Sequence, residues 1–473
     1  MAHLDKKIDK KTAKKLAKKT VKKTVKKTVK KAVRKTDKKV QKTKNPAHLD
    51  SDLTKVEYRK LNFKQDLKAI KRIWREVGWV TEDAPEKAMD IIFAADDTVV
   101  GCIDGNPECS VLAQSGTMRL DETDLPLCVI AAVTTSRIGR GQGFAQNLTA
   151  WQLARGAKKG AAVAALGMFD QGFYNKVGFG TGAYTNEFAI DPSSIDVSVK
   201  PRTPSRLTQA DSDAILKAMV NRPRSHGAVV IDNTHSARAE CLLSENSFGL
   251  GYFSGKTLTH FVWLSGEGEH GPYILEKMGY SNGEQLLELL ALLKSLADQI
   301  YSIKLREPPE IQLQSMLKRP FREQAIAEKG KYYAEQNTYA WYQLRILDLP
   351  ACVSAVSFTG SPVRFNLSLT DPVTEVLQAA KQVTTKIKEP WMGVGGHYVV
   401  EFGVQSKARL TPTGKLDQFL PTLSCPVNTF SRLLWGVAPA TSLAISDGLQ
   451  APQTLLSALD PIFKTGPNPA WDF

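Results

Sequence analysis

The stretch Ala131-Ala132-Val133-Thr134-Thr135-Ser136-Arg137-Ile138-Gly139-Arg140-Gly141-Gln142-Gly143-Phe144-Ala145 decides how this chain is read. Its first part is β-branched and small, as a buried strand requires. Its middle is basic and holds glycines at every second position, which neither a strand nor a helix interior favours. From Gly141 to Lys158 the pattern is that of an amphipathic helix. A strand therefore runs through a glycine turn into a helix start. Glycines let the backbone approach a ligand with no Cβ in the way. The first N–H groups of a helix are unpaired, and its dipole favours negative charge there. Arg137 and Arg140 add positive charge, so the junction suits a pyrophosphate. Arg140, Gly143 and Ala145 satisfy the pattern Arg/Gln-x-x-Gly-x-Gly/Ala. A dinucleotide fold would need a glycine where Phe144 stands, and a nucleotide P-loop would end in Gly-Lys-Ser/Thr. A purely structural turn is the remaining alternative at this point.

Working outward, strand patterns cover Val56–Leu61, Thr98–Ile103, Cys109–Met118, Leu125–Thr134 and Ala161–Leu166, and helical patterns cover Gln65–Val77 and Pro85–Ala94. This order predicts a mixed α/β sheet. A strong leucine-rich helix, Gly283–Gln299, is followed at once by a strand, Ile300–Leu305, and echoes the first unit. Period-two segments at Val363–Leu369 and His397–Val404, with helices at Val373–Ile387, Val427–Trp435 and Ala451–Ala458, predict a third, α+β unit.

Downstream of the glycine turn lies Gly172-Phe173-Tyr174-Asn175-Lys176-Val177-Gly178-Phe179-Gly180. With both motifs in place the chain resembles the GNAT N-acetyltransferases. The resemblance implies acetyl-CoA as co-substrate, held by Ala131 to Val133, Arg137 and Gly139 to Ala145. It also implies that Tyr174 protonates the departing thiolate. Leu344-Arg345-Ile346-Leu347-Asp348-Leu349-Pro350-Ala351 and the ending Pro467-Asn468-Pro469-Ala470-Trp471-Asp472-Phe473 narrow the resemblance to the Eis (enhanced intracellular survival) family. It then implies a fold of class α/β (α+β), with tandem GNAT-like mixed sheets and a C-terminal sterol carrier protein-like α+β domain. The boundaries expected are a disordered Lys-rich tail at 1–50, a catalytic domain at 55–199, a degenerate GNAT-like domain at 200–340 and the third domain at 341–473. A homo-oligomer, with a hexamer as the candidate state, is implied as well. The Phe473 terminal carboxylate is the implied base, and Asp472 favours a cationic amine. The second unit lacks the Arg/Gln-x-x-Gly-x-Gly/Ala pattern between Phe261 and Gln285, so one coenzyme site per chain is expected.

Glu82, Asp83 and Glu86 are candidate acceptor-binding carboxylates; a solvated helix start that favours carboxylates is the alternative. The acceptor is expected to be an amine-bearing small molecule, such as an aminoglycoside or polyamine, or a lysine side chain. Two other readings stand beside the enzyme: a lipid- or polyanion-binding scaffold, and a tail-tethered protein lysine acetyltransferase.

Charge is unevenly distributed. The net charge is +15, yet residues 1–45 hold 20 Lys and Arg against 3 Asp and Glu, and the remainder holds 43 basic and 45 acidic residues. The tail is expected to bind nucleic acid or anionic membrane nonspecifically, through charge alone, since it offers no aromatic ring for base stacking. The six cysteines show no Cys-x-x-Cys pair and sit in apolar segments, which predicts buried free thiols. No metal-ligand spacing is present, so no metal is expected. No secretory signal or membrane span is recognised, and the expected compartment is the cytoplasm.

Overall fold

The computed structural model describes residues 55–470, apart from 83–84, 96, 169, 244–245, 267, 319–330, 385, 412–413 and 465. The Lys-rich tail, Asp83, Asp472 and Phe473 lie outside the described residues.

The first sheet is built on five strands, β1 (Val56–Lys60), β2 (Asp97–Ile103), β3 (Asn106–Leu120), β4 (Thr123–Thr135) and β5 (Val163–Gly167). β1 to β4 pair antiparallel in sequence order. Three helices belong to it: α1 (Phe63–Glu76), α2 (Glu86–Ala95) and α3 (Phe144–Lys158). α3 is the crossover that lets β5 return parallel to β4. Two cores flank this sheet. On one side Tyr58, Val111 and Ile130 pack with Leu148 and Trp151 of α3. On the other side of β2 and β3, Val100, Cys102 and Leu112 pack with Ile70 and Ile73 of α1 and with Met89 of α2. The helix expected from Gly141 starts at Phe144 instead. Gly141 and Gly143 hold φ of 78° and 73°, left-handed values that glycine adopts freely and a right-handed helix excludes.

Among the described residues the three sheets hold eight, seven and four strands. The seven-stranded sheet repeats the first in plan. Ser247–Ser254, Thr257–Gly266 and Tyr273–Gly279 run antiparallel, the helix Gly283–Ser295 crosses over, and Ile303–Arg306 returns parallel. The four-stranded sheet joins Val363–Thr370 to Gly396–Phe402 antiparallel and to Thr422–Pro426 parallel.

The sheets share strands across the sequence. Tyr342–Ile346, which follows the second unit, inserts into the first sheet beside β5. Val229–Val230 adds to β3, while Thr185–Ile190 joins the second sheet. The fold is therefore a mixed α/β assembly whose units are stitched together by exchanged strands. All six cysteines are free and buried, as their apolar settings predict. No helix among the described residues is long and apolar enough to cross a membrane.

Candidate active site

The site begins where β4 and β5 separate. Their parallel pairing ends at Val129 and Ala165, yet β4 runs on to Thr135. Along its whole length, Val163 to Gly167, β5 is paired on its other edge with Tyr342–Ile346. β4 also carries a bulge. Ser110 faces Thr134 and Leu112 faces Ala131, so Val111 alone opposes both Ala132 and Val133. Ala132 holds φ of 49°, a left-handed value uncommon outside glycine. A bulge takes backbone groups out of the ladder and re-aims them, and such strain is a known companion of functional sites. Nothing in Ala131-Ala132-Val133-Thr134 marks this bulge, because these residues read as plain strand.

A cavity of about 510 Å³ opens here. Val133, Thr134 and Thr135 of β4 form one wall, and Gly139, Arg140, Gly141 and Gly143 with Phe144 and Ala145 form another. The glycine turn is shaped by two different needs. Gly139 lies against the Glu108 carbonyl, where a Cβ would come within 2.9 Å. Gly141 and Gly143 are left-handed and open; nothing stands within 4 Å of a Cβ built at Gly141. Ser136 braces the turn by accepting from the Gly139 N–H at 3.1 Å, and its own N–H donates to Glu108 at 2.8 Å. Gly143 caps α3 without any side-chain hydrogen bond, so the first amides of this helix are open to a ligand. The corresponding helix of the second sheet differs. There Asn282 Oδ1 accepts from the Gln285 N–H at 3.0 Å, and the helix start is closed by its own cap.

Arg140 is exposed, lines the cavity and has no ion-pair partner among the described residues. Arg137 is turned away. Its backbone N–H donates to the Glu76 carboxylate and its guanidinium to the Glu76 carbonyl at 3.3 Å, which ties the loop to the end of α1. Ala131, Ala132, Arg137 and Gln142 are not among the lining residues.

Tyr174 lines the same cavity, across from the glycine turn in sequence but joined to it in space. It ends a short helix, α4 (Gln171–Tyr174), whose start is capped by Asp170 accepting from the Gly172 N–H at 2.9 Å. The ring is 6% exposed and stands edge-on to Phe173 and Phe179 at 5.0 and 6.2 Å. Burial pushes its hydroxyl up to about 12, with smaller contributions from Cys109 and Asp170. Among the described residues no hydrogen bond engages that hydroxyl, which leaves its proton free for a ligand.

The turn behind Tyr174 is held by the inserted strand. Gln343 and Arg345 stand two residues apart and so face the same way. Gln343 Nε2 donates to Asn175 Oδ1 at 3.3 Å, and Arg345 Nη1 donates to the Val177 carbonyl. Gly178 is left-handed at φ of 84°, and a Cβ there would meet Arg345 Nη1 at 2.6 Å.

The acidic candidates lie elsewhere. Glu86 pairs with Arg75 at 2.9 Å and Lys71 at 3.1 Å, and hydrogen bonds from these two cations hold its carboxyl below the usual range. Glu82 lies 3.6 Å from Arg75. Neither lines the cavity. Trp79, 47% exposed beside Gly78, does line it together with Val77 and Asp170. An exposed tryptophan just past a helix end was the available signal for it. Pro467 to Ala470 are anchored to the body of the fold. The Tyr342 hydroxyl donates to the Pro467 carbonyl at 2.9 Å, and the Asn468 N–H donates to His226 at 3.0 Å. Ala470 is buried in the core of the second sheet.

The geometry can be set against known proteins. Residues 57–182 match the family described as the acetyltransferase (GNAT) domain. The chain carries a GNAT acetyltransferase domain. The match contains the split strands, the glycine turn and Tyr174. No curated protein matches the sequence. Among solved structures, a probable N-acyltransferase from Enterococcus faecalis V583 is 17% identical, with 88% of this chain and 98% of that one covered at a TM-score of 0.69. A GCN5-related N-acetyltransferase from Kribbella flavida is 17% identical, covering 89% and 98% at 0.66. Eis1 from Mycobacterium abscessus is 15% identical, covering 88% and 98% at 0.63. At these identities the likeness is one of fold, and it extends beyond the GNAT domain through most of the chain.

Proposed function

We propose that the chain is an acetyl-CoA-dependent N-acetyltransferase that moves an acetyl group to a primary amine by direct attack. The observation that carries this reading is the single cavity lined by both the open glycine turn and the unengaged Tyr174 hydroxyl. Acetyl-CoA fits the residues present: an uncapped helix start and Arg140 for the pyrophosphate, and parted strands for an extended chain. The Gly139–Ala145 turn holds the diphosphate through backbone N–H groups. Backbone N–H groups at the β4 bulge polarise the acetyl carbonyl oxygen. The acceptor nitrogen, freed of its proton, bonds to the carbonyl carbon as the carbon–sulfur bond breaks. The sulfur leaves as a thiolate and takes the proton of Tyr174 Oη. The proton lost by the amine goes to a base, a role the proposal assigns to the Phe473 carboxylate, with Asp472 adding negative potential. An ordinary terminal carboxyl is a weak base at neutral pH, so a water relays the proton or the group is shifted.

The proposal keeps the Eis plan, with catalytic residues at 55–199, a degenerate GNAT-like unit at 200–340 and a sterol carrier protein-like unit at 341–473, in a homo-oligomer. The closed helix cap at Asn282 supports one coenzyme site per chain. The acceptor is a small amine or a lysine side chain. Its acidic lining is not supported for Glu82 and Glu86, whose charges are met by α1, whereas the exposed Trp79 and nearby Asp170 offer a ring and a carboxylate to a cation.

The test is free-thiol release from acetyl-CoA with aminoglycosides, polyamines and lysine peptides, alongside thermal shift by coenzyme A. Release with one of these classes is expected. No release and no thermal shift at saturating ligand would remove the enzyme reading.

A further inference from the structure

A second and larger concavity, about 970 Å³, lies beyond the far end of α3 from the glycine turn. Three elements form its rim. β1 supplies Arg59 and Lys60, the end of α3 supplies Arg155 and Lys158 with Lys159 just after it, and the loop after the helix Val373–Val383 supplies Lys386 and Lys388. Seven cations thus line it against two carboxylates, Glu57 and Glu389. The chain outside residues 1–45 carries 43 basic and 45 acidic residues, so this positive charge is local and does not reflect the body as a whole.

The carboxylates around the groove are already engaged. Asp66 holds Arg59 through both oxygens at 2.5 and 2.8 Å. Asp97 is held by Arg155 and Lys159, each at 2.6 Å. Glu389 accepts from the indole of Trp151 at 2.9 Å at the groove floor. Glu57 pairs with Arg59 at 3.2 Å and Lys386 at 3.8 Å. Lys60, Lys158 and Lys388 are exposed and have no ion-pair partner among the described residues. Their positions are fixed by what lies behind them. Ile387 is 5% exposed and packs into the core with α3, so Lys386 and Lys388 on either side of it face outward. Thr384 ties this loop to β1 by donating to the Tyr58 carbonyl at 3.3 Å.

We propose that this groove binds a linear phosphate chain, the backbone of a single-stranded nucleic acid or an inorganic polyphosphate, across Lys60, Lys158 and Lys388. A concave seat with cations supplied by three separate elements suits a chain and cannot meet a flat bilayer on all three at once. No exposed aromatic ring lines it, since Trp151 is buried, so recognition is of phosphates and not of bases. The site is separate from the coenzyme seat: the two lie at opposite ends of a helix of 15 residues, about 22 Å long at the usual rise.

The experiment uses the full chain. Lysines are footprinted with an amine-reactive ester and read peptide by peptide, with oligothymidylate, with inorganic polyphosphate and without either. Peptide resolution separates the groove from the Lys-rich tail. Several-fold protection of Lys60, Lys158 and Lys388 is expected. Protection by both ligands marks phosphate-chain recognition, and protection by one alone identifies the source. Replacing all three lysines by Gln is expected to lower the slope of log affinity against log salt for oligothymidylate by about 2, at roughly 0.7 per phosphate contact. Exposed Lys→Gln changes leave folding intact, which an unchanged melting temperature checks. Unprotected groove lysines beside a protected tail, or an unchanged slope, overturn the proposal.

Discussion

Arg345 and Asp371 form an ion pair of 2.7 Å in which both side chains are completely buried. The pair links three parts of the chain. Arg345 comes from the strand inserted into the first sheet, Asp371 follows the strand Val363–Thr370 of the four-stranded sheet, and the other arm of Arg345 holds the Val177 carbonyl behind Tyr174. Asp371 is itself fixed, accepting from the Val394 N–H at 2.9 Å and the Val373 N–H at 3.2 Å. Removing one member of such a pair leaves an unpaired charge in a dry site. Arg345→Met is therefore expected to lower unfolding stability by about 3–5 kcal/mol, measured by urea denaturation. A loss no larger than that of an exposed ion pair, under about 1 kcal/mol, would show that the pair does not hold these parts together.

Tyr174→Phe keeps the ring in its aromatic nest and removes only the proton. Turnover is expected to fall by about 10²–10⁴-fold, the range for a positioned general acid, while the thermal shift by coenzyme A stays as in the wild type. Equal losses in both would make Tyr174 a packing residue. The pH dependence follows from its burial. With the hydroxyl pushed up to about 12, the acid keeps its proton through the neutral and mildly alkaline range. Any alkaline limb that depends on Tyr174 belongs near 12, and one centred on an ordinary tyrosine value near 10 contradicts the burial argument.

Much of this was legible in the chain. The strand–turn–helix and the position of Tyr174 follow from local pattern, because each is specified by residues within one short segment. The strands near 98–103, 109–118 and 125–134 and the helix at 283 were placed closely for the same reason. What local pattern could not convey is pairing between distant segments. Arg345 enters the sequence reading only as part of the stretch that carries the family resemblance, and Gln343 not at all; their role arises because Tyr342–Ile346 pairs with β5, more than 170 positions earlier. Glu82 and Glu86 read as acceptor-binding carboxylates or as a solvated helix start, but Lys71 and Arg75 on α1 meet them in space. The left-handed residue at Ala132 was hidden for a further reason. Glycine announces such a position, whereas alanine is held there by its neighbours.

Gly143 tests the coenzyme seat. A Cβ there meets no close atom, the nearest being Asn147 Nδ2 at 3.5 Å, so the cost of a substitution is conformational. Gly143→Val forces a β-branched residue to φ of 73° or shifts the turn. Coenzyme A affinity is expected to fall at least tenfold, about 1.4 kcal/mol, with the fold retained, as read by calorimetric titration and far-UV circular dichroism. Wild-type affinity in a folded variant would place the pyrophosphate elsewhere.

The proposed base is tested by adding a short tag after Phe473. Pro467 to Ala470 are anchored by Tyr342, His226 and the second core, so an extension leaves that anchor in place. Acetyl transfer is expected to drop to background while coenzyme A still raises the melting temperature. Full turnover with the tag attached removes the terminal carboxylate from the mechanism.

Glu288 reports on the second sheet. Arg202 grips its carboxylate through two 2.8 Å contacts, and His260 adds a third at 3.0 Å. These hydrogen bonds, led by Arg202, hold its pKa down at about 2, against an ordinary 4.5. A depressed carboxylate contributes stability above its unfolded pKa and loses it as pH falls through the folded value. Glu288→Gln should therefore melt below the wild type at neutral pH, and the gap should narrow steadily from about pH 4.5 toward 2. His260, whose pKa burial lowers, loses the raising influence of Glu288 in the variant, which widens the gap as pH falls through the histidine range and so cannot create the narrowing below pH 4.5. Melting curves across this window decide the matter, because a gap that stays constant with pH means that Glu288 titrates alike in the folded and unfolded chain and that the Arg202 contact carries no charge-dependent stability.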